Sequence, residues 1–122
     1  MYFGKPMKLK GNFIVDGDVA KEDERYKVID NTSLKNLVVS STDLNPGHET
    51  SGHKHAGQEE VYMFISGSGA MALTYPNGKV SEFDVASGDI ILIEDDVHHK
   101  VKNTHKDDNL YFVCVFDGKR SH

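Results

Sequence analysis

Short apolar runs broken by glycine- and asparagine-rich turns fill most of this chain. Asn12-Phe13-Ile14-Val15 reads as a short strand that stops at Asp16-Gly17-Asp18. Residues 20–27 are charged and read as a helical turn or a loop. Leu37-Val38-Val39-Ser40-Ser41 mixes β-branched and polar positions, which predicts a strand. Asn45-Pro46-Gly47 is a turn signal. The apolar run Val61-Tyr62-Met63-Phe64-Ile65 follows. Residues 69–75 and 79–85 flank Pro76-Asn77-Gly78. Asn-Gly between two strand-like runs predicts a hairpin, with Asn77-Gly78 in a type I′ turn. Ala86-Ser87-Gly88-Asp89 reads as the next turn. Residues 90–93, 100–103 and 110–116 complete the strands, and Asp107-Asp108-Asn109 separates the last two.

No long 3.6-residue period, internal repeat, low-complexity tract or linker breaks this pattern. Short strands joined by glycine turns predict an all-β sandwich or barrel. A closed or nearly closed antiparallel barrel is the economical choice, because closure removes exposed sheet edges. Every second strand residue then faces inward. Glu60, Tyr62 and Phe64 would share one face, as would His99, Val101 and Asn103. A chain of 122 residues fits a single domain, able to bury roughly two thirds of its extended-chain surface.

Composition removes several classes of function. The formal net charge is -5, which argues against nucleic acid as the main partner, since phosphate binding needs a basic face. No apolar run approaches the roughly 20 residues of a membrane helix, and the N-terminus lacks a signal-peptide pattern. Cys114 is the only cysteine, so no intramolecular disulfide forms, and a reducing, cytoplasmic setting is expected. It lies within Tyr111-Phe112-Val113-Cys114-Val115-Phe116, which predicts a buried, inert thiol.

Histidines and carboxylates carry the chemistry. His53 and His55 are two apart, so on a strand they point to the same face. Glu60 opens the apolar run a short turn later, and His99 follows Ile90-Ile91-Leu92-Ile93. A barrel could gather these three imidazoles and one carboxylate around one ion. Such donors suit divalent manganese, iron, nickel, zinc or copper better than calcium or magnesium. They would leave positions open for water or substrate. A His-x-His pair alone is equally what two surface histidines would look like. His48, His105 and His122 read as solvated loop or tail residues.

The spacing resembles the two motifs of the cupin superfamily. Gly47, five residues, His53-x-His55, four residues, Glu60, six residues and Gly67 look like the first. Gly88, then His99, three residues and Asn103 look like the second. The family's Pro-x-Gly turn in the second motif reads Glu94-Asp95-Asp96 here. In this register Glu60, not Glu59, and His99, not His98, take the ligand positions. The resemblance implies a small double-stranded β-helix, or jelly roll. Its core barrel would span residues 37–117, with residues 1–36 as an N-terminal strand or loop segment. Gly47, Gly67 and Gly88 would shape the turns that set ligand spacing. Thr50-x-Gly52-His53-x-His55 and Glu60-x-Tyr62 also look like the metal-site segment of the cupin-type archaeal glucose-6-phosphate isomerases. That likeness implies Thr50 as a phosphate contact and Tyr62 as a pocket wall.

The first expectation is therefore a metal-dependent isomerase or epimerase acting on a small sugar or sugar phosphate. Glu60 and Tyr62 would be its catalytic candidates, and Thr50 and Tyr62 would bind substrate. A dioxygenase or oxidase of a small organic substrate is the alternative, and a non-catalytic small-ligand barrel is the third reading. A pocket filled by Tyr62 and Phe64 would favour the third. A homodimer is also expected. The segment 1–15 carries Tyr2, Phe3, Met7, Leu9, Phe13, Ile14 and Val15, and it could add a strand to a neighbour's sheet or to its own barrel.

Overall fold

The structure, a computed structural model, describes residues 7–54 and 57–118. Its strands are β1 (Asp18–Glu22), β2 (Tyr26–Asn31), β3 (Leu37–Leu44), β4 (Glu60–Ser66), β5 (Ser68–Thr74), β6 (Val80–Ala86), β7 (Ile90–Ile93), β8 (His98–Lys102) and β9 (Leu110–Asp117). A six-stranded sheet has the order β1-β2-β3-β9-β4-β7, and a three-stranded sheet has the order β6-β5-β8. All pairings are antiparallel. The fold is all-β, a small jelly roll.

Period-two alternation builds the core. Along β4, Glu60, Tyr62 and Phe64 are buried while Val61, Met63 and Ile65 are only partly covered. Along β5, Gly69, Met71 and Leu73 are buried, and His99 and Val101 are buried on β8. Phe64, Phe112, Leu44, Met71, Leu110 and Val101 meet between the sheets with almost no exposure. Tyr62 stacks on Phe112, with ring centroids 5.3 Å apart. Gly67 takes φ +89 between β4 and β5, and a Cβ there would strike the Asn109 carbonyl. Gly47 and Gly88 also have positive φ, at +75 and +97.

Three local expectations fail, each for a physical reason. Asn12-Phe13-Ile14-Val15 is not a strand: Asn12 and Phe13 have φ of 62° and 59°, and the Ile14 N–H bonds the Gly11 carbonyl. Only Val15 of its apolar residues is covered, while Phe13 and Ile14 stay exposed. The Tyr111 hydroxyl of β9 donates to the Phe13 carbonyl at 2.9 Å. Tyr2 and Phe3 lie outside the described residues. Residues 20–27 hold most of β1 and the start of β2, not a helical turn. β1 is exposed throughout, so no apolar alternation marks it in the sequence. The hairpin between β5 and β6 forms, but not through a type I′ turn. Pro76 cannot take positive φ, and among Pro76, Asn77 and Gly78 only Gly78 does, at +88. The Gly78 N–H bonds the Tyr75 carbonyl at 2.8 Å and the Tyr75 N–H bonds the Lys79 carbonyl at 2.9 Å. This is a three-residue loop, a type I turn closed by a left-handed glycine.

Candidate metal centre

The site forms where β4 meets a short segment alongside β8. Thr50 donates its N–H to the Val101 carbonyl at 2.9 Å, and His53 and His99 exchange backbone bonds of 3.2 and 2.9 Å. Glu49 stands opposite Lys102 and His53 opposite His99. Four steps on one strand thus match three on the other, which is a one-residue bulge. Gly52 occupies it with φ +80, and a Cβ there would meet the His98 ring at 2.6 Å. The extra residue matters because strict alternation from Thr50 would send His53 outward. The bulge turns it to the His99 side instead.

Alternation decides the other ligands. Glu60 is buried and Glu59 exposed; His99 is buried and His98 only half so. His99 Nε2 lies 2.7 Å from Glu60 Oε2 and 3.0 Å from His53 Nε2, and His53 Nε2 lies 4.0 Å from Glu60 Oε1. One donor atom from each of the three falls within 4.8 Å of the others, a grouping that can hold a metal ion. His55 lies outside the described residues, so its expected place as a fourth ligand is not described.

Hydrogen bonding shows what the triad needs. His99 Nδ1 is 3.0 Å from the Val97 carbonyl oxygen. A carbonyl only accepts, so Nδ1 carries the hydrogen and the neutral ring presents a bare lone pair at Nε2. That lone pair faces Glu60 Oε2, a buried oxygen with no hydrogen-bond donor among the described residues. The 2.7 Å contact is therefore acceptor against acceptor unless a positive charge sits between them. An extra proton or a divalent cation would satisfy it. Two imidazoles and one carboxylate are a chemically fitting set for a transition metal.

A cavity of about 390 Å³ opens beside His53 and Glu60, over the inner face of the six-stranded sheet and under the segment that carries Thr50 and Gly52. Tyr26, Val28, Tyr62, Phe112, Cys114 and Phe116 give it apolar walls, while Asp30, Ser40, Thr42 and Thr50 give polar positions. Tyr62 lines the cavity without filling it, and Phe64 packs into the core. Burial pushes the Tyr62 phenol well up, aided by Cys114 and the Glu60 carboxylate. Tyr62 thus keeps its proton and can donate but not act as a base. Burial also pushes the Cys114 thiol up, with Glu60 adding to the effect and a Ser40 hydrogen bond opposing it. Cys114 is an inert wall, as its sequence context implied.

Thr50 and Asn103 have structural duties that the sequence left open. Thr50 Oγ1 accepts the Val101 N–H at 3.0 Å, so one face of the expected phosphate contact is committed to the backbone. Asn103 is fully buried; its amide donates to the Leu44 and Asp108 carbonyls at 3.0 and 2.8 Å, and its oxygen accepts the His105 N–H. It fastens the loop after β8 to the end of β3. His105 accepts the Asp107 and Asp108 N–H groups through Nδ1, so it organises that loop although it is exposed. The sequence signal was available in the polar cluster Asn103-Thr104-His105-Lys106-Asp107-Asp108. Asp30 was missed altogether, because its strand was not recognised.

The family description "Cupin domain" matches residues 40–116. No curated protein sequence matches the chain. Among solved structures, an oxalate decarboxylase formate complex from Lactobacillus farciminis is 20% identical with a TM-score of 0.73, over 84% of this chain and 30% of that one. An oxalate decarboxylase structure on substrate binding mode and a reaction specificity switch is 25% identical with a TM-score of 0.74, over 86% and 28%. Oxalate decarboxylase from Bacillus subtilis at pH 4.6 is 24% identical with a TM-score of 0.74, over 83% and 28%. The chain thus spans less than a third of the length of these proteins.

Proposed function

The chain belongs to the cupin family, and we propose that it is a divalent-transition-metal enzyme for a small oxygenated molecule, an isomerase or epimerase of a sugar-like substrate. The observation that carries this is the triad of His53, Glu60 and His99, in which the His99 Nε2 lone pair meets Glu60 Oε2, beside an open cavity that His53 and Glu60 line. A purely structural metal would be closed off by side chains. A bound metal would supply Lewis-acid polarisation of two neighbouring substrate oxygens. The protein supplies the rest. Tyr62 and Phe112 offer flat apolar faces, and Ser40, Thr42 and Thr50 offer hydroxyls. Tyr62 holds a proton that it can donate to a substrate oxygen. Glu60 is the carboxylate at the metal end of the cavity wall that can take one up. His55 joins the ligand set in this reading.

Elemental mass spectrometry on untagged protein tests the premise. One transition metal per chain, lost in His53→Ala/His55→Ala, is the expected result. No metal in either after loading with several divalent ions would leave a metal-free binding barrel. A second reading, oxidative or decarboxylating chemistry on a small acid, is favoured by the likeness to oxalate decarboxylases. Oxygen uptake, or carbon dioxide release from oxalate, by the metal-loaded protein would establish it over isomerisation.

We further propose a homodimer through the outer face of the six-stranded sheet. Leu92, Val61, Val115 and Val39 stand opposite one another across four strands, and Ile90, Met63 and Val113 form the next row. Ile90 and Leu92 are 63% and 73% exposed on the edge strand β7. A monomeric native chain at micromolar concentration in the ultracentrifuge would refute this interface.

A further inference from the structure

Resting on the metal-enzyme reading above, we infer that Asp30 is a specificity residue, and that it selects a substrate that is neutral or cationic at the end remote from the metal. A hydroxyl or amine fits there; a phosphate or second carboxylate does not. Four residues set the frame. Asp30 stands opposite Ser40, Ser40 opposite Cys114, and Cys114 opposite Tyr62. All four line the cavity. They form one row across β2, β3, β9 and β4, with Tyr62 two residues from Glu60. Strands lie about 4.8 Å apart, so three spacings put Asp30 roughly 14 Å from Tyr62. A ligand chelated at the metal end would have to be elongated to reach it.

Asp30 is half-buried, yet its carboxylate has no hydrogen-bond or ion-pair partner among the described residues. A carboxylate can accept several hydrogen bonds and gains most from charged or hydroxylic donors. Its register partner on β1 is Asp18, which adds like charge at the same end. Among the described residues the one lysine or arginine lining the cavity is Lys21, which is exposed on β1. Thr50, the phosphate contact implied by resemblance, sits at the metal end with its oxygen already accepting from Val101. Arg25 near the mouth is engaged by Asp23, so among the described residues an exposed lysine is all that the lining offers a phosphoryl group. Its walls combine flat apolar faces with hydroxyls, which suits a neutral polyhydroxylated molecule.

Ligand perturbation of the visible spectrum of cobalt-loaded protein tests this, with D-glucose and D-glucose 6-phosphate as probes. D-Glucose should perturb the metal spectrum at a concentration at least about tenfold lower than D-glucose 6-phosphate. Asp30→Asn should bring the two within about threefold of each other, without changing cobalt stoichiometry. Tighter binding of the phosphate to the native protein would overturn the inference. So would an unchanged ratio in Asp30→Asn, or a loaded metal that neither probe perturbs. A chain that takes up no cobalt at all fails the metal-enzyme reading, and this inference falls with it. Lys21→Ala guards against a local charge artefact, because it should leave the preference for D-glucose in place.

Discussion

The two ends of the cavity are built in opposite ways. At the metal end, Glu60 and His99 are almost fully buried, and their backbones are locked by pairing on β4 and β8. At the far end, Asp30 lies on β2 and faces the exposed edge strand β1. The first end is preorganised and gathers like-seeking donors at a cost that only a cation relieves. The second is half-solvated and leaves a carboxylate waiting. Strong, generic binding thus sits in the rigid part of the barrel, and discrimination sits on the strands that are freest to vary. Edge strands tolerate substitution better than the centre of a sheet, so related barrels could change substrate without disturbing the metal.

The largest effect should come from breaking the metal end. Glu60→Gln or His99→Ala should lower metal affinity by roughly a hundredfold or more, read by competition with a chelating dye, while the β signal in circular dichroism persists. Full metal loading of either variant at the native affinity would show the ligand assignment to be wrong. Asn103→Ala should separate folding from metal binding. It strands the Leu44 and Asp108 carbonyls and the His105 N–H, at a cost of about 3 kcal/mol. The melting temperature should fall by roughly 10 °C with one metal per chain still bound in the cold. Gly52→Val should act between these extremes. It strains a left-handed position and collides with the His98 ring, so His53 shifts and metal affinity drops roughly tenfold. An unchanged affinity would mean that the bulge does not aim His53.

Smaller effects sharpen the contrast. Glu59→Gln should leave metal uptake unchanged, since that side chain is exposed; a loss as large as that of Glu60→Gln would put the β4 register off by one. The Asp23–Arg25 pair beside the cavity mouth is the mildest case. Arg25 hydrogen-bonds Asp23 and lowers its carboxyl to about 2, and Arg25 also reaches Ser51 Oγ at 2.6 Å. A depressed carboxyl stabilises above its unfolded pKa and loses that contribution as pH falls through the folded value. The clip should therefore persist to near pH 2, which the carbon chemical shift of Asp23 would follow. The pair is at the surface and partly solvated, so its loss should barely move the melting temperature.

Much of the metal end was legible because its rule is simple. Alternation lets only one of Glu59 and Glu60, and one of His98 and His99, face inward, and the motif spacing to Gly67 and Asn103 selects Glu60 and His99. The far end was illegible for the complementary reason. β1 has no buried residue, and β2 keeps only Tyr26 fully covered, so neither shows a clean apolar stripe. Asn12 to Val15 misled in the other direction. Its apolar run is a turn in which only Val15 is buried, tied to β9 through the Phe13 carbonyl. The Asn77-Gly78 signal gave the hairpin but not its turn, since Pro76 holds its own φ negative and opens a type I turn that leaves only Gly78 left-handed.

The pairing of β3 with β9 also governs how this molecule comes into being. Residues 45–109 lie between the two strands, yet the strands align along their whole length, from Leu37 opposite Asp117 to Leu44 opposite Leu110. No local hairpin can template that junction, and its loop-closure entropy must be met before contacts repay it. β9 also carries β4, so Glu60 reaches its final place only after nearly the whole chain has been threaded. Refolding should be slow, on the millisecond-to-second scale of nonlocal β topologies. Metal capture would then come late, and act more to hold the finished barrel closed than to guide its assembly.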